Sequence, residues 1–187
     1  MGNKMSSSAS SKTVDQLFNK LEKVCHGRPR SLADEIQQVR SWLTDRRDKR
    51  PSGYMNHPIY FSAYSAYHLP LHLPELYWIL NQTAGRLDLK PPRTVLDLGC
   101  GPGTVSLSYL LWSQKNGWPA PEELNLVDFS KKALDGAREL TNTLIDPAKT
   151  QLRTHKIHLH DKKAVRLKAD WIFLGHVLNE WGNGPRA

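Results

Sequence analysis

The residues best suited to chemistry form a glycine-rich segment in the middle of the chain. Gly99, Gly101 and Gly103 follow an apolar run that carries one acid, Asp97. Glycine permits a sharp turn and a close backbone approach to a ligand, and a helix starting after the turn directs free N–H groups at an anion. A dinucleotide fingerprint requires G-x-G-x-x-G, whereas this chain has Thr104 at the third glycine position. The pattern therefore disfavours a nicotinamide-dependent oxidoreductase, which we keep as the least favoured alternative.

A second acid stands at the end of the next apolar run. Asp128 ends the segment 124–128, and Phe129 follows it directly. A carboxylate accepts hydrogen bonds from two ribose hydroxyls, and an aromatic ring offers an apolar surface to adenine. Together with the glycine segment, these two residues predict a ligand that contains a nucleoside rather than a purely structural turn.

Residues 175–180, Gly-His-Val-Leu-Asn-Glu, follow a further apolar run. His176 has the chemistry of a general base, and Asn179 or Glu180 has that of a group that orients an acceptor. Capping of a following helix explains the same residues equally well, so both interpretations stay open. Neither Cys25 nor Cys100 is placed as a nucleophile, and two cysteines exclude a disulfide framework or a four-cysteine metal site within this chain.

Two histidines, His68 and His72, stand four residues apart and could share a metal ion if they lay on one helix. Pro70 lies between them and should disturb that helix, and the sequence offers no third ligand beside them. We therefore predict no metal site from the sequence.

Strands and helices alternate from residue 93 onward, which predicts an α/β fold with a parallel, Rossmann-like sheet. We expect strands at 94–98, 124–128, 154–159 and 170–177, with helices from Thr104 to Asn116 and from a cap at Ser130. Ligands of such sheets bind beyond the carboxyl ends of the strands, where all the unusual residues fall. Earlier in the chain we expect a disordered lead-in over 1–12 and a helical region over 13–90, with helices starting at Thr13, Ser31 and Pro74 and a tyrosine-rich helix between the last two.

The segments VLDLGCGPGT and LNLVDFS resemble motif I and the acidic post-I position of class I S-adenosylmethionine-dependent methyltransferases. The resemblance covers about residues 93–182 and implies S-adenosylmethionine as the cofactor. We expect the N-terminal part of a methyltransferase-like domain over residues 91–187. It implies that the glycine loop lines the methionine portion, that Asp97 holds the amino group, and that the ribose and adenine lie at the second and third strands. The implied cofactor-binding residues are Asp97, Gly99, Cys100, Gly101, Pro102, Gly103, Asp128, Phe129 and Asp161.

The tyrosine-rich helices before motif I and the segment GHVLNEW more narrowly resemble the branch of that family associated with the small ribosomal subunit. This resemblance implies methyl transfer to rRNA or to another small-subunit component; the alternative is a cofactor-binding assembly factor without catalysis. The two cysteines and the lack of an apolar secretory segment near Met1 lead us to expect an intracellular protein, cytoplasmic or, in a eukaryote, mitochondrial. Class I sheets have seven strands, so we expect an incomplete fold of about four strands in a fragment, whose exposed sheet edge favours self-association.

The composition agrees with a soluble protein that has an anionic partner. The chain of 187 residues carries a net charge of +8 with a pI near 9.6, and its mean hydropathy is −0.54. No apolar run approaches the roughly 20 residues of a membrane span, so we expect none. Residues 149–168 hold seven Lys and Arg against Asp161 alone, a net charge of +6. We predict an RNA-contacting surface there, with the basic segment 46–50 as the alternative.

Overall fold

A computed structural model describes residues 6–25, 29–159, 161 and 166–177 of the chain. Three helices precede the sheet: α1 (Ser6–Val24), α2 (Pro29–Leu43) and α3 (Pro58–Ala84). The alternating part follows as β1 (Thr94–Leu98), α4 (Thr104–Lys115), β2 (Glu123–Asp128), α5 (Lys131–Thr141), β3 (Gln151–Lys156) and β4 (Trp171–Phe173). The predicted α/β fold with a helical N-terminal region is confirmed.

The four strands form one parallel sheet in the order β3-β2-β1-β4. The chain moves outward from β1 to β3 and then returns to place β4 on the other side of β1. The strand order therefore reverses between β1 and β4, which is where open α/β sheets form their ligand crevice. The carboxyl ends of these two strands lead into the glycine loop and into residues 174–177.

One hydrophobic cluster joins the helical region to the sheet. It includes Leu17 of α1, Val39 of α2 and Phe61 of α3 together with Leu107 of α4 and Leu126 of β2. All five side chains are fully buried. Burial of apolar side chains is the main favourable term in folding. Because one buried cluster contains side chains from these helices and from the sheet, the helices before residue 93 share a core with the sheet.

The first two helices begin earlier than we predicted. Helix α1 starts at Ser6, so the expectation of a disordered lead-in through residue 12 is wrong for residues 6–12. Its first turns contain only Ser, Ala and Lys, and extending an existing helix adds a hydrogen bond for each residue ordered. Helix α2 starts at Pro29 rather than after a Ser31 cap, because proline is pre-organised for the first helical position and needs no N–H partner there.

The largest difference from the prediction is that α3 is a single helix of 27 residues, with Pro70 and Pro74 inside it. Each proline removes one backbone hydrogen bond and should weaken the helix. Leu69 and Leu73, on the same face, are buried in the common core. Their packing compensates for the two missing hydrogen bonds, so the helix continues where the local sequence predicts a break.

Strand β1 has the bounds that were predicted, while β3 and β4 differ from the expected 154–159 and 170–177. The register from Glu123↔Gln151 to Asp128↔Lys156 places β3 three residues earlier, because pairing with β2 decides its position. Strand β4 is shorter than predicted at both ends. Before its first residue, the Asp170 carboxylate accepts the N–H groups of Arg93 and Thr94. After its last residue, the backbone turns into the left-handed region by His176. Among the helices that the structure describes, none is long and apolar enough to cross a membrane.

Candidate functional site

The glycine loop is fixed against the end of β2. The N–H groups of Gly99 and Cys100 both donate to the Val127 carbonyl, at 2.8 and 2.9 Å. Gly99 has a φ of +70°, and a Cβ at this position would lie 2.6 Å from Cγ2 of Val177. Any other residue would therefore suffer both backbone strain and a clash. Glycine is required here so that the ends of β1 and β4 can approach each other.

Asp97 is fully buried directly before this loop. Its Oδ2 accepts hydrogen bonds from the backbone N–H of Ser106 at 3.1 Å and from the Ser106 hydroxyl at 2.7 Å. Its Oδ1 is buried without a hydrogen-bond partner among the described residues. Burial raises the pKa of Asp97 to about 6, and the two bonds from Ser106 oppose that rise. A buried carboxylate oxygen of this kind suits a cationic donor such as an ammonium group.

Asp128 at the end of β2 connects the loop to the next helix. Its Oδ2 accepts from the Gly101 N–H at 3.0 Å, and its Oδ1 accepts from the Ser130 N–H at 2.8 Å. Ser130 caps α5 as predicted, since its hydroxyl accepts the Ala133 N–H. Each carboxylate oxygen can accept more than one hydrogen bond, so this fixed carboxylate can also receive ligand hydroxyls.

Phe129 stacks on His158, with ring centroids 4.8 Å apart and planes inclined by 16°. Only Phe129 of this pair was predicted from the sequence, because nothing near His158 in the chain indicates that β3 brings it beside the end of β2. Asp161 lies in the turn after β3, where its N–H donates to the His158 carbonyl. It is exposed and does not line the cavity beside Phe129.

That cavity lies over the glycine loop and has a volume of about 70 Å³. Typical ligand pockets have roughly 300–1,000 Å³, so a nucleoside needs the side chains at its rim to move. Of the predicted cofactor-binding residues, Gly99, Gly101, Asp128 and Phe129 line it, while Asp97, Cys100, Pro102, Gly103 and Asp161 do not. Burial raises the pKa of the Cys100 thiol well above its usual range and that of Cys25 to about 11, so neither is an activated nucleophile.

A second cavity, of about 370 Å³, lies between α2, α3 and the end of β4. Three arginines contribute to its wall: Arg40 on α2 and, after the end of that helix, Arg47 and Arg50. Arg47 also donates to the Leu43 carbonyl at the end of α2, at 3.0 Å, so this cation also stabilises the end of that helix. The rest of the wall is mainly aromatic: Tyr64, Tyr67, His68, His72 and His176.

The two cavities share Tyr64 and His176. His176 follows β4 and has a φ of +58°, in the left-handed region that non-glycine residues rarely adopt. Burial and the neighbouring His72 lower its pKa, against an opposing effect of Glu75, and so favour the neutral ring. Asn179 and Glu180, the other predicted catalytic residues, lie outside the described residues. Their roles and that of His176 stay predictions.

A family model described as Mitochondrial small ribosomal subunit Rsm22 matches residues 59–187. The chain belongs to this family. No curated protein matches it. The matched region of this Rsm22-family chain contains nearly all of α3, the whole described sheet and the residues that line the glycine-loop cavity except Tyr54 and Met55, which precede the region. The three arginines of the second cavity lie before it, so that cavity combines residues of the matched region with residues outside it.

Proposed function

We propose that this chain binds S-adenosylmethionine and methylates RNA of the small ribosomal subunit. The observation that carries the proposal is that a basic, aromatic cavity adjoins the glycine-loop cavity and shares Tyr64 and His176 with it. A methyltransferase needs this arrangement, because donor and acceptor must meet within reacting distance. The family match supports the ribosomal subunit as the partner.

The hydrogen-bond acceptors at the glycine loop match the groups that the cofactor would donate. The unpartnered Oδ1 of Asp97 would accept the ammonium group of the methionine portion, which requires this buried atom to become accessible from the cavity when the ligand enters. Asp128 would accept ribose hydroxyls, and Phe129 with His158 would pack against the adenine. When bound, this cofactor supplies an electrophilic methyl group on a sulfonium, so the protein has mainly to position the acceptor and keep water out.

The second cavity has the composition of a nucleotide site. Arginines hold phosphates through charge-assisted hydrogen bonds, and tyrosine rings stack on unpaired bases. The phosphate-binding groups would be the three arginines of this cavity, Arg40, Arg47 and Arg50. The stacking rings would be Tyr64 and the partly exposed Tyr67. His176, neutral and between the two cavities, would accept a proton where the acceptor atom must lose one.

The test follows a radiolabelled methyl group from S-adenosylmethionine to isolated small ribosomal subunits incubated with the protein. We expect the label in the RNA fraction after the subunits are separated into RNA and protein. Label in the protein fraction would replace RNA by a ribosomal protein as the acceptor. Calorimetric binding of the cofactor without transfer would favour the assembly factor without catalysis, and no binding would overturn the cofactor assignment.

A further inference from the structure

Three side chains from two separate parts of the chain meet at the second cavity, whose wall includes two of them, His72 and His176. His72 and Glu75 lie one turn apart on α3, and the His72 Nδ1 is 2.8 Å from Glu75 Oε2. His176 reaches the same place from the end of β4, with its ring centroid 4.2 Å from that of His72. One ligand atom of each of the three residues lies within 4.8 Å of the other two.

We propose that His72, Glu75 and His176 form a binding site for a divalent transition-metal ion of the Zn²⁺ class. Two imidazoles and one carboxylate are a ligand set that such ions accept, with one coordination position left open. Tetrahedral bonds of 2.0–2.1 Å place ligand atoms about 3.3 Å apart, so side-chain rotations need to bring the outermost pair closer by at most about 1.5 Å.

Two further observations mark this place as a ligand site rather than a chance contact. The backbone of His176 is in the left-handed region, and strain of this kind persists where the surroundings hold a side chain in one position. The ring of His68 stacks on that of His72, at 5.7 Å, and its buried Nε2 lacks a hydrogen-bond partner among the described residues. A buried polar atom without a partner therefore lies directly beside His72.

The surroundings also select the kind of ion. Mg²⁺ and Ca²⁺ prefer sites built from oxygen ligands, and this cluster offers one carboxylate beside two imidazoles. Arg40, Arg47 and Arg50 line the same cavity and oppose a cation held by charge alone. Coordinate bonds to imidazole nitrogen overcome that repulsion for Zn²⁺ or Co²⁺, and an anionic group in the open position would neutralise it.

The sequence argued against a metal because Pro70 should break the helix and no third ligand was in view. Both grounds fail in the folded chain, since α3 continues through Pro70 and β4 delivers His176. A ligating nitrogen of His176 has no lone pair left for a proton, so metal binding and proton acceptance at that nitrogen exclude each other.

The test titrates the full chain, stripped with a chelator and free of cofactor and RNA, with Zn²⁺ alone in a calorimeter. We expect one equivalent to bind, and His72→Ala, His176→Ala and Glu75→Gln each to weaken binding at least tenfold. A parallel titration with Co²⁺ should give the visible absorption of a site with nitrogen ligands, reduced in the same variants. Mg²⁺ at the same concentration should produce no binding heat.

His57→Ala is the matched control, because His57 is exposed and lies outside both cavities. It should leave Zn²⁺ affinity and stoichiometry unchanged. His176→Gln and His72→Gln, checked by circular dichroism, replace any alanine variant that fails to fold. Absence of Zn²⁺ binding in the wild type, or binding that His72 and His176 substitutions leave unaltered, would overturn the site. Neither result bears on methyl transfer, which is measured with the cofactor.

Discussion

Asp97 is a residue whose protonation the fold controls. Its pKa rises from 3.8 to about 6 because the carboxyl is buried, so the folded state holds this proton more tightly than the unfolded state does. This group therefore lowers the free energy of unfolding as pH rises from about 4 to about 6, and the loss persists above that range. We expect Asp97→Asn to abolish this dependence, gaining on the order of 2–3 kcal/mol relative to wild type between pH 4 and pH 7.

Urea unfolding of both proteins across that pH range measures the difference. Ser106→Ala serves as the second variant, because it removes the hydroxyl hydrogen bond that helps to hold the pKa down and should shift the transition to higher pH. If the free energies of unfolding of the wild type and of Asp97→Asn differ by the same amount at every pH, Asp97 has an ordinary pKa in the folded state.

Asp128 is the residue through which we expect most of the ribose recognition. Removing a charge-assisted acceptor from a buried site costs on the order of 1.5–3 kcal/mol, so Asp128→Ala should weaken S-adenosylmethionine binding about tenfold to a hundredfold. The same carboxylate also holds Gly101 and Ser130, so part of this effect would come from a loosened loop.

Calorimetric titration with S-adenosylmethionine measures this decrease in affinity. Glu139→Gln is a charge-matched control, since Glu139 pairs with Lys20 on the surface and lines neither cavity. Its affinity should equal that of the wild type. Equal affinity in Asp128→Ala would remove Asp128 from the proposed cofactor site.

At the scale of elements, the contact between α3 and α5 positions the tyrosine-bearing helix against the sheet. A Cβ on Gly136 would lie 2.3 Å from Cζ of Phe61, whose ring is fully buried. Gly136→Ala should therefore destabilise the protein by about 1–3 kcal/mol, although alanine is the better helix former by about 1 kcal/mol. We therefore expect a loss of stability, whereas helix propensity alone predicts a gain.

Gly85→Ala separates the two effects. Gly85 ends α3 with a φ of −70°, and a Cβ there meets nothing within 4 Å. Thermal unfolding should show this variant at or slightly above wild-type stability. If both alanine variants behave alike, packing of Phe61 on Gly136 does not control how α3 docks.

At the scale of the whole molecule, two basic surfaces are candidates for contact with RNA. The first surface is formed by the three arginines of the second cavity. The second lies along and after β3, an edge strand of the described sheet, where four basic side chains are exposed: Arg153, Lys156, Arg166 and Lys168. Lys162 and Lys163 lie outside the described residues. Lysines on an edge strand also prevent strand pairing, which accounts for Lys156 without RNA.

Substituting Arg40, Arg47 and Arg50 together by Gln should weaken RNA binding and flatten its dependence on salt. Every phosphate that a cation no longer neutralises lowers the log–log slope by about 0.7 on single strands and 0.9 on duplexes. The quadruple Gln variant of Lys162, Lys163, Arg166 and Lys168 should flatten the slope as well. Fluorescence anisotropy with labelled rRNA fragments at several salt concentrations measures both.

A triple Gln variant of Lys12, Lys20 and Lys23 changes the net charge by the same amount as the arginine variant. These residues lie on α1, and none lines the second cavity. Their substitution should leave the slope close to that of the wild type. A slope change that follows only the number of charges removed in each variant would mean that the net charge of +8, and not a defined surface, attracts the RNA.

The outer edge of the sheet governs a further property of the whole chain. Strand β4 pairs with β1 alone among the described strands, and Ile172 is 50% exposed with Leu174 40% exposed. An apolar strand edge of this kind favours self-association. We expect sedimentation velocity to show oligomers that increase with concentration, and Ile172→Lys to reduce them. A strictly monomeric wild type with a sharp thermal transition would contradict this expectation.

Features that depend on neighbouring residues could be predicted from the amino-acid sequence. The bounds of β1, the cap at Ser130 and the positive-φ glycine turn follow from local steric and hydrogen-bonding preferences, and the alternation of strands and helices predicted the α/β class. The roles at the glycine loop came from a family resemblance, and they stay predictions. Local preference was less reliable where tertiary packing opposed it, as at Pro70 and Pro74.

Whether residues that are distant in the sequence line one cavity depends instead on how the helices and strands pack. Arg40, Tyr64 and His176 come from three separate parts of the fold, and nothing in their local sequence indicates that they line one cavity. Their meeting requires the packing of α2 and α3 against the sheet and the strand order that returns β4 beside β1. Contacts between distant segments form only where the burial of the common core offsets the entropy of closing the chain between them. The second cavity and the His72–Glu75–His176 cluster are therefore properties of the folded chain.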